Sequence, residues 1–231
     1  LLAVDVLLAS MDELLDLSSS MTTWVDTKTA SQRLRGSARQ NLMVRFVAVL
    51  DSTGKTLASS DPGGSQQVVQ LPAGFLDSVL EQPVSTLVIS APVVSFASSE
   101  RVLYVARHLR MVDGTRVLAV AELPVVALSA VLVQGVDISG LQVTLERAGG
   151  QLLVSVPNRE DASTTVLTPP LDQVVGLGPQ WEAPARLTGE PALVVARPIL
   201  YQDLRITASI PRHDTLANWR EQRDAIAVTA L

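Results

Sequence analysis

Apolar positions along this chain change period, and each change marks an element. Val4, Leu7, Leu8, Met11, Leu14, Leu15, Met21, Trp24 and Val25 recur at three- and four-residue steps, the stripe of an amphipathic helix, with Ser18 its one weak position. Acids come early (Asp5, Asp12, Glu13, Asp16) and bases late (Arg33, Arg35, Arg39, Arg45), which complements the dipole of one long helix running most of the way to Val44. Gly36 is its candidate break. Such a stripe serves either the chain's own sheet or a seam with a second copy.

From Phe46 the period becomes two. Phe46 to Leu50, a turn at Asp51-Ser-Thr-Gly54, and Lys55 to Ser59 predict a hairpin; 61–65 is a loop, Gly74 to Glu81 a short helix stopped by Pro83, and Thr86 to Phe96 a strand. Val102 to Leu132 then reads strand, turn, strand, proline, helix. Asp113-Gly114 between two β-rich apolar runs is a strong hairpin signal, since Gly accepts the positive φ of a tight turn. Pro124 removes a ladder donor and opens the next helix, Val125 to Val133, where its fixed φ costs nothing.

The same pieces recur in the same order. Phe46 to Pro62 matches Leu141 to Pro157, each a strand, a Gly turn (Gly54, Gly150) and a strand; Val105-Ala106-Arg107 falls on Val195-Ala196-Arg197, and Leu123-Pro124 on Ile210-Pro211. Two copies predict two similar domains rather than a solenoid. The second holds strands Leu141 to Leu145, Gln151 to Val156, Ala192 to Ile199 and Arg205 to Ile210, with a weakly patterned, Pro-rich stretch from Thr168 to Pro191. A closing helix runs from His213 to the end, anchored by Trp219. The expected division is a helix over 1–45, an α+β domain over 46–134, a second over 135–212 and the closing helix over 213–231.

With 231 residues, 47% of them hydrophobic, the chain can bury one large core or two small ones, and the repeat favours two. A net charge of −5 argues against nucleic acid, and 3% aromatic content against stacking platforms. The absence of cysteine removes disulfides, thiolate metal sites and Cys nucleophiles together. Leu1 is preceded by no Met and no basic segment, so the start is not a signal peptide. The run 225–231 turns apolar directly after the charged 220–224, and reads either as a juxtamembrane helix entering a bilayer or as a frayed end.

Catalytic patterns are missing. Asp51-Ser-Thr-Gly54 has one residue too many for Asp-Thr-Gly and sits in a hairpin. His108 and His213 are too far apart to form a metal pair by spacing, and Gly176-Leu-Gly178 lacks the context of a dinucleotide loop. No Gly-x-Ser-x-Gly elbow occurs. No enzyme activity, cofactor or metal is expected.

A long helix, two successive sheets and a closing helix at an apolar edge resemble the double Cache sensor domains of bacterial membrane receptors. The motifs carrying the likeness are Val49-Leu-Asp-Ser-Thr-Gly-Lys-Thr-Leu-Ala-Ser-Ser60, Leu118-Ala-Val-Ala-Glu-Leu-Pro-Val-Val-Ala-Leu128 and Ile210-Pro-Arg-His-Asp-Thr-Leu-Ala-Asn-Trp-Arg220. The resemblance implies tandem PAS-like domains of about five antiparallel strands each, outside the inner membrane between two transmembrane helices. It also implies a small molecule bound in the membrane-distal domain, homodimerisation, and a histidine kinase, cyclic-di-GMP enzyme or chemotaxis module inside. Amino-acid-binding members carry Trp, Arg and Tyr around the third strand; Leu87-Val-Ile-Ser-Ala-Pro-Val-Val94 has none, which disfavours an amino acid. The family's acidic residue near the end of the last distal strand has its counterpart in Glu122.

Comparing the two halves weighs the candidates. Arg107 is matched by Arg197, so scaffold is its expected role, whereas Tyr104, His108 and Glu122 are matched by Val194, Pro198 and Ser209. Alternation places Tyr104 and His108 on a face with Val102 and Ala106, and Glu122 with Leu118 and Val120. A carboxylate among apolar strand residues requires a partner. Glu122 therefore either receives a cationic or hydrogen-bond-donating ligand group or is tied to Arg101, Arg110 or Arg116. The candidate site is Glu122, Tyr104, His108, Ser90 and Arg101, with His108 also readable as a surface histidine. A ligand-free dimerisation module, or a docking site for a periplasmic protein, is the competing reading; a dry core with Glu122 tied to an arginine would favour it.

Overall fold

The computed structural model describes residues 1–11, 27–61, 69–111, 113–159, 165–171, 182–201 and 203–215. The chain divides into two compact units, Leu1–Leu128 and Ser129–Leu231. The first is built on strands β1 (Phe46–Leu50), β2 (Thr56–Ser59), β3 (Val88–Ile89), β4 (Val93–Val94), β5 (Arg101–Arg110) and β6 (Arg116–Pro124). They pair antiparallel in the order β2-β1-β6-β5, with β3 and β4 sharing the outer edge of β5.

Turn chemistry fixes both hairpins. Gly114 sits at φ +84° while Asp113 Oδ1 accepts the Thr115 N–H at 2.8 Å. Gly54 sits at φ +86° and Asp51 Oδ1 accepts from the N–H groups of Thr53 and Lys55. The expected strand from Thr86 to Phe96 is instead two short pieces around Ser90-Ala91-Pro92. Pro92 has no N–H for the ladder. Ser90 turns inward, its Oγ accepting the Tyr104 N–H at 2.9 Å and donating to the Ala91 carbonyl at 2.7 Å.

Register brings Phe46 and Tyr104 opposite Glu122, Ala48 and Ala106 opposite Val120, and Leu50 and His108 opposite Leu118. That face forms a core with Val69 and with Phe75 and Val79 around helix α3 (Phe75–Leu80). The other face carries Val47, Val49, Leu103 and Val105, all buried. Helix α1 (Leu2–Ala9) packs there through Val4, Leu7 and Leu8, and helix α2 (Thr27–Ala38) through Ala30 and Leu34. Covered on both faces, β5 and β6 read as continuous apolar runs.

Two expectations for the N-terminal helix are corrected. Gly36 lies inside α2 and does not break it, and the helix ends at Ala38 rather than near Val44. Asn41 stops it by drawing backbone donors onto itself: its Oδ1 accepts the Met43 N–H at 3.1 Å and its carbonyl the Val44 N–H. Leu14, Leu15, Met21, Trp24 and Val25 lie outside the described residues.

The second unit repeats the topology. Strands β7 (Gln142–Arg147), β8 (Leu152–Val156), β9 (Ala183–Pro184), β10 (Pro191–Pro198) and β11 (Leu204–Pro211) run in the order β8-β7-β11-β10-β9. Helix α4 (Val125–Leu132) follows Pro124, and α5 (Arg212–Thr215) follows Pro211. The short edge strand β9 falls within the stretch read as weakly patterned. Trp219 and the remainder of the closing helix lie outside the described residues.

Gly150 gives the fold a sharp test. At φ +89°, an added Cβ would lie 2.4 Å from the backbone oxygen of Leu167, which is itself held by the Leu167 N–H to Gly150 carbonyl bond at 2.8 Å. Gly114, at φ +84°, has nothing within 4 Å of that position. Gly114→Ala therefore costs about 1–2 kcal/mol from backbone conformation alone, and Gly150→Ala costs clearly more. Equal losses in a denaturant titration would contradict this packing.

Candidate functional site

Glu122 projects from the end of β6 far from the hairpin turn into the first core and is 1% exposed. A charge there needs donors, and three side chains supply them. Tyr104 Oη and Ser95 Oγ each donate to Oε2 at 3.1 Å, and Arg45 Nη1 donates to Oε1 at 3.3 Å. Arg45 also donates through Nη2 to Glu100 Oε2, and its backbone N–H bonds to the Glu122 carbonyl at 2.9 Å. Burial pushes the Tyr104 phenol well above its usual range, and the adjacent Glu122 charge pushes it further. Tyr104 is therefore a fixed donor at neutral pH.

Glu122, Tyr104 and Ser95 form the floor of a cavity of about 380 Å³. Its walls are Phe46 on β1, Val69 and Gln70 ahead of α3, and Phe96 and Ala97 on the loop between β4 and β5. Phe96 stands 84% exposed at the rim. The loop is folded tightly: the Ser95 N–H bonds to the Glu100 carbonyl, the Ser99 N–H bonds to the Ser95 carbonyl, and Ser99 sits at φ 57° without being glycine. This places an apolar, aromatic chamber over a buried carboxylate. Such a chamber can hold a small molecule with one polar end.

The structure brings Tyr104 and Glu122 together and leaves the other three candidates elsewhere. Ser90 is spent on the backbone of Tyr104 and Ala91. Arg101 alternates onto the face it shares with Arg107, away from the cavity. Arg107 has the scaffold role that the repeat implied, with Nη1 on Asp5 Oδ1 of α1 at 3.0 Å and Nη2 on the Ser85 carbonyl at 2.8 Å. The partner of Glu122 is Arg45, not Arg101, Arg110 or Arg116. Arg45, Ser95 and Phe96 escape a reading by sequence neighbourhood, although Arg45 directly precedes the residue that pairs with Glu122.

His108 is 5% exposed, not a surface residue, and lies on the same face toward α3. Burial lowers its pKa, opposed by a bond to the Val79 backbone and aided by Arg116, Arg110 and Arg107. Its Nδ1 has no hydrogen-bond partner among the described residues. Because the folded pKa lies below the ordinary 6.5, the unfolded chain binds the proton first. His108 thus contributes stability above pH 6.5 that is lost as pH falls through the folded pKa. His108→Gln should flatten the acid side of a stability-versus-pH curve; an unchanged curve would place the acid sensitivity elsewhere.

The second unit also buries a carboxylate, but seals it. Glu146, 0% exposed, accepts Arg186 Nε at 3.1 Å, Arg186 Nη2 at 2.6 Å and Thr144 Oγ1 at 2.9 Å, while Arg186 Nη1 holds the Pro169 carbonyl at 2.8 Å. A cavity of about 420 Å³ lies apart from this pair, walled by Ala183, Pro184 and Leu193. Its charged groups, Glu182 and Arg212, form an exposed pair at 3.8 Å. Water already serves them, so they contribute little to recognition.

No protein-family model and no curated protein matches this sequence. Solved structures do. The chain is similar to the extracellular domain of histidine kinase rpHK1S-Z16, at 20% identity over 94% of this chain and 90% of that one, with a TM-score of 0.68. It is similar to the ligand-binding domain of the Pseudomonas aeruginosa amino acid chemoreceptor PctB, solved with L-Arg, at 17% identity, 96% and 88% coverage and a TM-score of 0.60. The sensor domain of the V. cholerae histidine kinase DctB matches at 16% identity, 90% and 88% coverage and a TM-score of 0.55. With two sheets of one topology in series, this chain therefore has the fold of extracellular sensor domains of histidine kinases and chemoreceptors, the double Cache fold.

Proposed function

We propose that this chain is the extracytoplasmic ligand-sensing domain of a membrane-bound signalling receptor, with its small-molecule site over the first sheet. The observation that carries the reading is the 380 Å³ cavity floored by Glu122, Tyr104 and Ser95. A scaffold has no use for an open chamber above a buried charge, whereas the carboxylate of the second unit is held by Arg186. The first unit is the membrane-distal module and the second the proximal one. The long N-terminal segment and the closing helix lead to the inner membrane and pair with a second copy, and the fragment itself does no chemistry. Among the described residues no helix is long and apolar enough to cross a membrane.

Signalling works by population shift. A ligand moves the equilibrium between two arrangements only by its differential affinity for them. The Arg45–Glu122 pair also favours the ligand-free dimerisation module, since it ties the carboxylate to an arginine. The two readings separate in a thermal-shift screen against carboxylates, amines, amino acids, nucleobases and inorganic anions. A ligand at about a hundred times its Kd adds about 2.7 kcal/mol, a rise of several degrees in Tm. A broad panel without a hit, on a fragment that dimerises through residues 1–44, would leave the dimerisation module standing.

A further inference from the structure

The direction of the hydrogen bonds on the chamber floor decides what polar end a ligand can carry. Tyr104 Oη and Ser95 Oγ own one hydrogen each, and both hydrogens are given to Glu122 Oε2, at 3.1 Å. The two residues are 3% and 2% exposed, so bulk water does not compete for those hydrogens. Glu122 itself only accepts. The floor therefore presents lone pairs and no free donor. From this polarity, and resting on the sensor reading above, we infer that the ligand is an uncharged alcohol or phenol with a compact apolar body, whose hydroxyl donates to the oxygens of Tyr104 and Ser95.

Charge points the same way. Arg45 does not line the chamber, yet its Nη1 already balances Glu122 through Oε1 at 3.3 Å. A ligand cation would thus add a second positive charge beside a carboxylate that has one, with no other acid on the lining. A ligand anion fares worse, since among the described residues no Lys, Arg or His lines the chamber. Either charge would be buried without its own partner, which is costly. A ketone or ether oxygen carries no charge but fails for another reason. It would face the lone pairs of the floor and find no hydrogen to accept.

The walls set the body. Phe46, Val69, Phe96 and Ala97 are apolar, and the remaining polar lining residue, Gln70, is exposed. At about 380 Å³ the chamber stands near the small end of ligand sites, room for one ring and a short arm. Glu122 is then a positioning residue. It fixes which way two hydroxyls point, and so makes an acceptor of a floor that would otherwise both give and take.

The test uses four probes of one shape: 1-phenylethanol, acetophenone, 1-phenylethylamine and 2-phenylpropanoate. They join the thermal-shift panel, and NMR titration of the whole 231-residue chain ranks them. In the wild type the alcohol binds most tightly, about tenfold or more ahead of the ketone, the ratio expected for one unpaired polar contact. Glu122→Gln reverses that order. Arg45 keeps the amide oxygen, the amide NH2 turns to Tyr104 and Ser95, and their freed hydrogens now favour acetophenone. Circular dichroism checks that the variant folds; should it not, Ser95→Ala reads the same contact, with the alcohol's lead over the ketone reduced severalfold. The inference is overturned if the ketone matches the alcohol in the wild type, if the amine or the carboxylate binds best, or if folded Glu122→Gln keeps the wild-type order. Binding by none of the four overturns it as well. A charged hit from the broad panel that protects this chamber would then leave the sensor reading intact, whereas a panel with no hit at all would remove both.

Discussion

Arg186→Ala should cost the second unit about 3–5 kcal/mol, the loss expected when one partner of a buried ion pair is removed. Arg186 is 8% exposed and Glu146 0%, and the guanidinium grips both carboxylate oxygens at 3.1 and 2.6 Å while also holding the Pro169 carbonyl. Without it Glu146 keeps Thr144 and a distant Thr207 at 3.5 Å, too few donors for a charge out of reach of water. Replacing both partners, Glu146→Leu with Arg186→Met, should recover most of the loss, because the penalty lies in the stranded charge more than in the lost attraction. Scanning calorimetry reads both. A single-variant loss below about 1 kcal/mol would mean that solvent reaches the pair, as at exposed ion pairs.

Glu122→Ala should show the opposite balance: small change in stability, near-complete loss of ligand response. Here the partners are not stranded. Arg45 retains Glu100, and the hydroxyls of Tyr104 and Ser95 border a chamber that water can fill. The stability change should stay within about 1–2 kcal/mol, the scale of hydrogen bonds exchanged for water. Every compound that raises the wild-type Tm through this site should fail to do so in the variant. If instead Glu122→Ala unfolds the first unit, the carboxylate is scaffold and the dimerisation reading gains. The two buried glutamates thus divide into one that closes a core and one that leaves a place open.

Local signals carried most of the fold. The Asp113-Gly114 hairpin, the helix behind Pro124 and the first hairpin around Gly54 are decided by residues adjacent in sequence, and all three form as their turn chemistry dictates. The repeat carried the rest, since the second sheet has the strand order of the first. Failures arose where distant chain segments meet. Pro92 and the inward turn of Ser90 split a strand whose composition is uniformly β-like. His108 has the alternation of the core face, but only α3 lying over it makes it buried. Arg45 looked like a helix-end base, yet it is 77 residues from Glu122 in sequence and adjacent in space because Phe46 pairs with Glu122.

The second unit carries a polar alternation that is visible in its sequence. Gln142, Thr144 and Glu146 on β7, with Thr207 and Ser209 on β11, repeat at period two, which ordinarily marks a solvated face. Instead all five are buried, and Arg186 with the Pro169 carbonyl covers the carboxylate at one end. A period-two polar pattern tells which residues share a face. It does not tell whether water or another segment lies above them.

The most direct test of a ligand site over the first sheet is hydrogen–deuterium exchange of the chain with and without a saturating hit from the thermal-shift screen. The account predicts slower exchange in residues 69–70 and 95–97, which wall the cavity, together with a change near Arg45, and no change across β7 to β11. Unaltered exchange in those segments, or protection confined to residues 182–193 of the second unit, would contradict it.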